Sequence, residues 1–359
     1  AGVGSSPYTI TASAATGGTF NAANYDITYT AGSLTVGKAA LTITADDINK
    51  TYGDTATLTF TATGLKNSET VGSVTLTSSG TAATAGVGSS PYTITASAAT
   101  GGTFNPDNYT IGYTGGVLTV SARAITVTAD NLSKSYGEDV PALTYQVTSG
   151  SLVNGDLLTG ALATSATAGS TNGSYGITQG TLAASANYAL TFVGGTLSVG
   201  SRAITIKADD LTRIYGEGNP DLTYTITAGS LANGDSLTGL LATTAMATSD
   251  VGTYAITQGT LTVPNYNITF VGGTLTVARR AITVTAESTD KTYGDANPTL
   301  RYDITAGTLV NGDRLTGLLD TPASALSGVG SYAITQGSLA ASGNYALNFV
   351  AGQLRVVPR

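Results

Sequence analysis

The chain of 359 residues has no cysteine, no histidine and no tryptophan, and a single methionine. Each absence removes a class of chemistry. Without cysteine there are no disulfides and no thiolate metal sites. Without histidine the commonest general base and the commonest metal ligand are missing, so an enzyme would have to rest on Asp, Glu, Ser, Lys or Tyr. Without tryptophan a strong glycan-stacking platform is disfavoured. Charge is sparse as well, with 15 Lys plus Arg against 22 Asp plus Glu and a net charge of −7. No basic patch stands out, which argues against nucleic acid as a partner. Nor is there a Lys/Arg cluster to grip an anionic membrane surface. No apolar run approaches the ~20 residues of a membrane span. No nucleophile–base pair, phosphate loop or ligand cluster repeats along the chain, so no catalytic residue is assigned and the chain reads as a non-enzyme.

What is present is repetition. In Asn265–Val277, Tyr266, Ile268 and Phe270 alternate with polar residues, as do Leu275 and Val277 beyond Gly272-Gly273. The alternation predicts two strands with one buried face each. The Gly-Gly pair predicts a two-residue hairpin turn, because such turns need positive φ. The stretch recurs from Asn24, Asn108, Asn187 and Asn344, at spacings of 84, 79, 78 and 79 residues. A fixed period of this kind marks a tandem array. The array divides into a half repeat at 1–37 and complete repeats at 38–121, 122–200, 201–278 and 279–359. Ala1–Asn21 match Ala85–Asn105 letter for letter, which implies a recent duplication or an array kept uniform by recombination. Because it opens in mid-repeat, the chain reads as an excerpt of a longer protein.

Each complete repeat carries about six or seven short strand patterns and no convincing helix, which makes it an all-β domain. A small β-sandwich is the first topology. The alternative is a β-grasp-like sheet, with first and last strands side by side and a short helix around Asn-Gly-Asp. The junction Leu275–Val284 runs from one repeat to the next with only about three residues between strand patterns and no Gly/Ser tract, so the linker is not a flexible coil. The expected shape is an elongated, semi-rigid rod.

Several recurrent residues bear on function. Acids cluster near the repeat starts: Asp46, Asp47 and Asp54; Asp130, Glu138 and Asp139; Asp209, Asp210 and Glu217; Glu287, Asp290 and Asp295. Hard oxygen ligands there could bind Ca²⁺ and stiffen a rod, and Asp46, Asp47, Asp130, Asp209 and Asp210 are the metal candidates. The competing reading is turn chemistry, since no Asp-x-Asp-x-Asp-Gly loop exists, and no cofactor is required. Asn-Gly-Asp at Asn154, Asn233 and Asn311 reads as a turn. Lys50, Lys134 and Lys291, with Arg213 in the equivalent place, precede Tyr-Gly; Arg213 excludes an isopeptide crosslink in every repeat. These side chains are expected to lay their stems on the sheet with the charge outward. Most tyrosines fall in phase with Ile or Leu and read as core. The tyrosines of Tyr-Gly (Tyr52, Tyr136, Tyr215 and Tyr293) are the best candidates for contacts between repeats.

These motifs carry a resemblance. Arg-Ala-Ile-Thr, Tyr-Gly-Asp/Glu, Asn-Gly-Asp with Leu-Thr-Gly, and Asn-Tyr-x-Ile-Thr-Phe-Val-Gly-Gly-Thr-Leu resemble MBG repeats at 122–200, 201–278 and 279–359. Asp46–Asp54 resembles the sister YDG repeat, which extends to 38–121 and the half repeat at 1–37. Such repeats are similar to those of large exported bacterial adhesins of the filamentous-haemagglutinin type. The resemblance implies an extracellular or cell-surface location and a role in adhesion or biofilm, with no catalytic residues to carry over. A non-catalytic stalk or spacer is the reading it favours. The alternative is a multivalent array of weak glycan- or surface-binding sites. The expected partners are neighbouring repeats of the same chain, and host or matrix polymers.

Overall fold

The computed structural model describes residues 1–359. All regular elements are strands or short 3-10 turns, and there is no α-helix. The repeat at 201–278 shows the plan with seven strands: β1 Arg202–Ala208, β2 Leu211–Ile214, β3 Tyr224–Ala228, β4 Ala242–Thr243, β5 Gly252–Thr257, β6 Tyr266–Val271 and β7 Gly273–Ala278. They form two sheets, one ordered β3-β1-β6 and the other β2-β7-β5-β4.

In the first sheet β1 runs parallel to β6, with Arg202 opposite Tyr266 and Ile206 opposite Phe270, and antiparallel to β3. In the second, β2 runs parallel to β7, with Leu211 opposite Leu275, while β5 and β7 are antiparallel. Alternation decides which residues turn inward. Ile204, Ile206 and Ala208 from β1 are buried, as are Leu275 and Val277 from β7. Ile204 and Ile206 pack on Leu261 and Val263, and Ala208 and Leu275 on Ile256 and Ala245. Each fully buried Ile or Leu stabilises the sandwich by about 1.5–3 kcal/mol relative to exposure. The two sheets face each other as a small β-sandwich, not a β-grasp sheet: β1 lies beside β6, and the last strand lies beside β2.

The predicted hairpin is not a hairpin. β6 and β7 follow each other directly yet belong to different sheets, so the chain turns a corner of the sandwich at Gly272-Gly273. Neither glycine has positive φ. Their role is close approach. A Cβ on Gly273 would stand 2.7 Å from the carbonyl oxygen of Asp209 and 2.8 Å from that of Ala208. Gly195 meets the carbonyls of Ala129 and Asp130 in the same way, at 2.8 Å each. A side chain there would push the corner off the β1–β2 bend.

The three-stranded sheet recurs with the same pairing around Ala39–Ala45, Arg123–Ala129 and Arg280–Ala286. In the half repeat, Tyr8–Ile10 pairs with Gly32–Leu34. Its Ile10, Tyr25 and Leu34 are exposed, whereas their counterparts Ile94, Tyr109 and Leu118 are buried within the complete repeat. The chain forms two compact units: 1–132 with 141–165 and 174–198, and 133–140 with 166–173 and 199–359. The Tyr-Gly segment of the repeat at 122–200 therefore belongs with the repeat that follows it.

Candidate functional site at the joints between repeats

Within each unit the same set of side chains joins one repeat to the next. In the first unit, Tyr52 stands at the end of the strand Ile48–Thr51 and enters the core of the following repeat. It packs with Ala45, Ile94, Leu118 and Val120 of its own repeat and with Ile125 and Tyr188 of the next. The Tyr52 hydroxyl donates to Asp156 Oδ2 at 3.0 Å, and the Tyr188 hydroxyl donates to the same oxygen at 2.8 Å. The two rings meet edge to face with centroids 5.6 Å apart. Such an arrangement adds about 0.5–1.5 kcal/mol to the buried area. Arg123 closes the other side. Its Nε donates to the Tyr52 carbonyl at 2.7 Å, and its Nη2 lies 2.6 Å from the Asp54 carboxylate. The Asn187 side-chain oxygen accepts from the Val87 N–H at 2.9 Å.

In the second unit the arrangement recurs around Tyr215. Its hydroxyl donates to Asp313 Oδ2 at 3.0 Å beside the Tyr345 hydroxyl at 2.8 Å, and the rings stand edge to face at 5.6 Å. Arg280 donates to the Tyr215 carbonyl at 2.9 Å and lies 3.8 Å from Glu217. Asn344 accepts from the Val251 N–H at 2.9 Å. Around Tyr136, the partner ring is Tyr266 at 5.5 Å, the Tyr266 hydroxyl donates to Asp235 at 2.9 Å, and Arg202 reaches the Tyr136 carbonyl at 3.4 Å. Burial raises the phenol pKa of Tyr188, Tyr266 and Tyr345, and acceptance of their protons by Asp156, Asp235 and Asp313 raises it further; a backbone N–H donated to each hydroxyl opposes both.

The glycine of Tyr-Gly fits this geometry for two reasons. Gly216 has φ of +80°, and a Cβ on it would overlap the Val310 side chain of the next repeat. Gly294 has a similar φ of +89° but nothing beside it, and Tyr293 is 46 % exposed, whereas Tyr52, Tyr136 and Tyr215 are buried.

The residue two places before the tyrosine holds the turn from beneath. Lys134 Nζ donates to the carbonyls of Glu138 at 2.8 Å and Ala168 at 3.4 Å. Lys291 does so to Asp295 and Ser324 at 3.2 and 2.6 Å. Lys50 binds Asp54 O at 3.0 Å and also Ala82 O. Arg213 binds the Met246 carbonyl and Asn219 Oδ1. All four cations are buried. The expected outward charge is thus corrected: the head turns inward because the Tyr-Gly-acid turn and the neighbouring loop leave carbonyls that need a donor. Burial lowers the Lys50 pKa, and the Asp54 charge partly opposes the shift.

The acids proposed for metal do not come together, and no group of three or more Asp or Glu gathers anywhere in the chain. Asp46 accepts from the Thr61 hydroxyl, and Asp47 from the Val117 N–H, each at 2.8 Å. Asp209 accepts from Thr223 at 2.7 Å. Asp210 takes both the N–H and hydroxyl of Thr274 at 2.8 Å, which holds its carboxyl below the usual range. The Asp130 N–H donates to the Thr144 carbonyl at 2.9 Å. Asp47 and Asp210 thus fasten the sandwich corner.

Asn-Gly-Asp forms a turn in each case, without the short helix of the β-grasp alternative. Asn154, Asn233 and Asn311 and the glycines after them all have positive φ. Sequence reasoning missed that the third residue of the turn is the acceptor of the joint, and that Tyr188, Tyr266 and Tyr345 and the arginine of Arg-Ala-Ile-Thr face the preceding repeat. The available signal was co-occurrence. The repeat at 38–121 has Asn67-Ser68-Glu69 instead, and there the Tyr109 hydroxyl donates to Glu69 at 2.5 Å.

No curated protein matches the chain. Among solved structures it is similar to the I9–I11 tandem of titin, at 9% identity over 66% of this chain and 99% of that one, with a TM-score of 0.19. It is also similar to three domains of Drosophila N-cadherin, at 8% identity over 88% of this chain and 98% of that one, with a TM-score of 0.22. The family model of the MBG domain (YGX type) matches four times, at residues 41–119, 125–198, 204–276 and 282–355. Those spans include the Tyr-Gly turns, the Asn-Gly-Asp acceptors and all but the outermost strand ends described above, and the chain belongs to the MBG domain (YGX type) family.

Proposed function

We propose that this chain is a non-catalytic spacer, a repetitive stalk segment of a large bacterial cell-surface or secreted adhesin that projects adhesive modules or builds matrix. The observation that carries the reading is the recurrent joint: Tyr-Gly inserts into the following repeat, where tyrosine, aspartate and arginine receive it. A joint made of buried rings and charge-assisted hydrogen bonds resists bending and needs no ion. Reach away from a surface is what such repetition provides. An extracellular location follows from that role.

Small-angle X-ray scattering, in Ca²⁺ and again in EDTA, tests it. A globule of this length has a radius of gyration of about 21 Å. The spacer reading expects a much larger value and a rod-like profile in both buffers. A compact profile in both refutes it, and a rod seen only with Ca²⁺ makes the acids near the repeat starts metal ligands. One observation favours the binding-array alternative. Tyr224 and Tyr302 are exposed at the same place on the edge strand of successive repeats. Glycan or matrix-polymer binding lost in the double variant Tyr224→Ser/Tyr302→Ser would select that reading.

A further inference from the structure

Each Asn-Gly-Asp turn combines an exposed asparagine, a glycine with no side chain to shield its nitrogen, and an aspartate in the joint. Asn154, Asn233 and Asn311 are exposed at φ of 56°, 54° and 57°, and the glycines that follow have φ of 80°, 78° and 79°. The turn is closed by the aspartate N–H, which donates to Val153, Ala232 or Val310 at 2.9–3.0 Å. We propose that these turns are sites of spontaneous asparagine modification, and that the modification releases the joint.

The chemistry needs only water. The glycine nitrogen attacks the asparagine Cγ, a new C–N bond forms, the Cγ–Nδ2 bond breaks, and ammonia leaves with the proton from the glycine nitrogen. Water then opens the resulting five-membered imide at either carbonyl, giving aspartate or isoaspartate with no change of oxidation state. Ring closure needs the glycine nitrogen on the Cβ side of the asparagine. A left-handed residue, with ψ typically about +47°, holds it on the far side, so a turn of this kind must open before the reaction proceeds. The rate therefore reports on joint opening.

The product acts on the joint directly. Isoaspartate adds one methylene to the main chain and a carboxylate two residues before Asp156, Asp235 or Asp313. The lengthened turn no longer holds that aspartate against the tyrosine hydroxyls, and the new charge repels it. The three sites also differ. Asn154 Nδ2 donates to the Ala83 carbonyl across its joint at 3.2 Å. Asn233 and Asn311 make no such bond.

The test is to incubate the whole chain in mildly alkaline buffer and follow each turn by peptide mass spectrometry, with isoaspartate scored by enzymatic methyl transfer. Asn233 and Asn311 are expected to convert about fivefold faster than Asn154, the factor equivalent to one hydrogen bond of about 1 kcal/mol. The variant Tyr215→Phe, which removes one donor to Asp313, is expected to accelerate conversion at Asn311 and leave Asn233 unchanged. Equal rates at all three turns would overturn the proposal, as would an unchanged Asn311 rate in a folded Tyr215→Phe chain. If that variant does not fold, the ratio of Asn311 to Asn154 in the unsubstituted chain decides.

Discussion

Replacing Tyr215 with alanine separates the joint from the sandwich that carries it. Tyr215 is 3 % exposed and shares a cluster with Val277 of its own repeat and with Ile282, Val284, Leu339 and Tyr345 of the next. Truncating a buried aromatic of this kind costs about 3–5 kcal/mol. Within that sum, the edge-to-face pair with Tyr345 accounts for about 1 kcal/mol. The hydrogen bond to the Asp313 carboxylate contributes about 1.5–3 kcal/mol. Asp313 keeps the Tyr345 hydroxyl as a donor, which holds the cost toward the lower end. The same substitution at Tyr293 provides the internal control. Tyr293 occupies the equivalent place but is 46 % exposed in this chain, so its loss costs under about 1 kcal/mol. Urea unfolding followed by circular dichroism reads the total. Hydrogen exchange resolved to Arg280–Thr292 and Ile204–Ala208 reads where the loss falls. The expected result for Tyr215→Ala is a broader transition with faster exchange beside the joint and intact protection in β1, because an array's stability is a sum of repeat and interface terms. Equal costs at Tyr215 and Tyr293 would refute the reasoning, because the tyrosine would then act within its own repeat.

Three further outcomes follow from the same geometry. Gly216→Ala is expected to destabilise by more than Gly294→Ala in parallel urea titrations, since both pay for positive φ but only Gly216 meets a side chain of the next repeat. Lys134→Met leaves the carbonyls of Glu138 and Ala168 without their donor, costing about 1–3 kcal/mol, and Lys134→Arg recovers most of it, as Arg213 does in the next repeat; thermal unfolding of both variants checks this. The folded pKa values of Tyr188, Tyr266 and Tyr345 lie above the unfolded value near 10. The folded state therefore holds its phenolic protons more tightly, and this stability is complete below about pH 10 and lost as pH rises through the folded values. A spectrophotometric alkaline titration should show a late phenolate phase coincident with loss of the joints, and the phase should shrink in Tyr345→Phe.

Much of this was legible in the pattern of residues. Period-two alternation placed Leu275 and Val277 inward because a strand offers no other way to bury one face. The period itself located the repeats, and the short junction at Leu275–Val284 pointed to a restricted angle between neighbours. The Tyr-Gly tyrosines were recognisable as joint residues because no strand phase claimed them. Partnerships across the joint were not legible. Asn-Gly-Asp reads identically whether its aspartate faces solvent or accepts two phenols, since the turn's backbone requirements hide the role of its third residue. Gly272-Gly273 misled for a similar reason. Glycine satisfies both positive φ and close approach, and only the sheet assignment of the flanking strands tells a hairpin from a corner. The inward cations escaped because snorkelling outward is the common fate of lysine, and of the two carbonyls that capture Lys134 one, that of Ala168, comes from a loop 34 residues further along.

The hydrophobic interior does not stop where the repeat stops. Tyr215 and Val277 lie in one cluster with Ile282 and Tyr345, and residues 133–140 belong to the unit that holds the following repeat, so the cooperative folding block is shifted against the sequence period. A segment cut at the sequence boundary would carry one bare tyrosine and one aspartate without its phenol from the preceding repeat. Gain or loss of one full period behaves differently. Among the repeats at 122–200, 201–278 and 279–359, wherever the breakpoints fall, the rejoined chain again places a Tyr-Gly ahead of an Asn-Gly-Asp at the correct distance. Length can therefore vary by whole periods while every interior joint keeps both of its halves, and selection can tune extent without redesigning a contact.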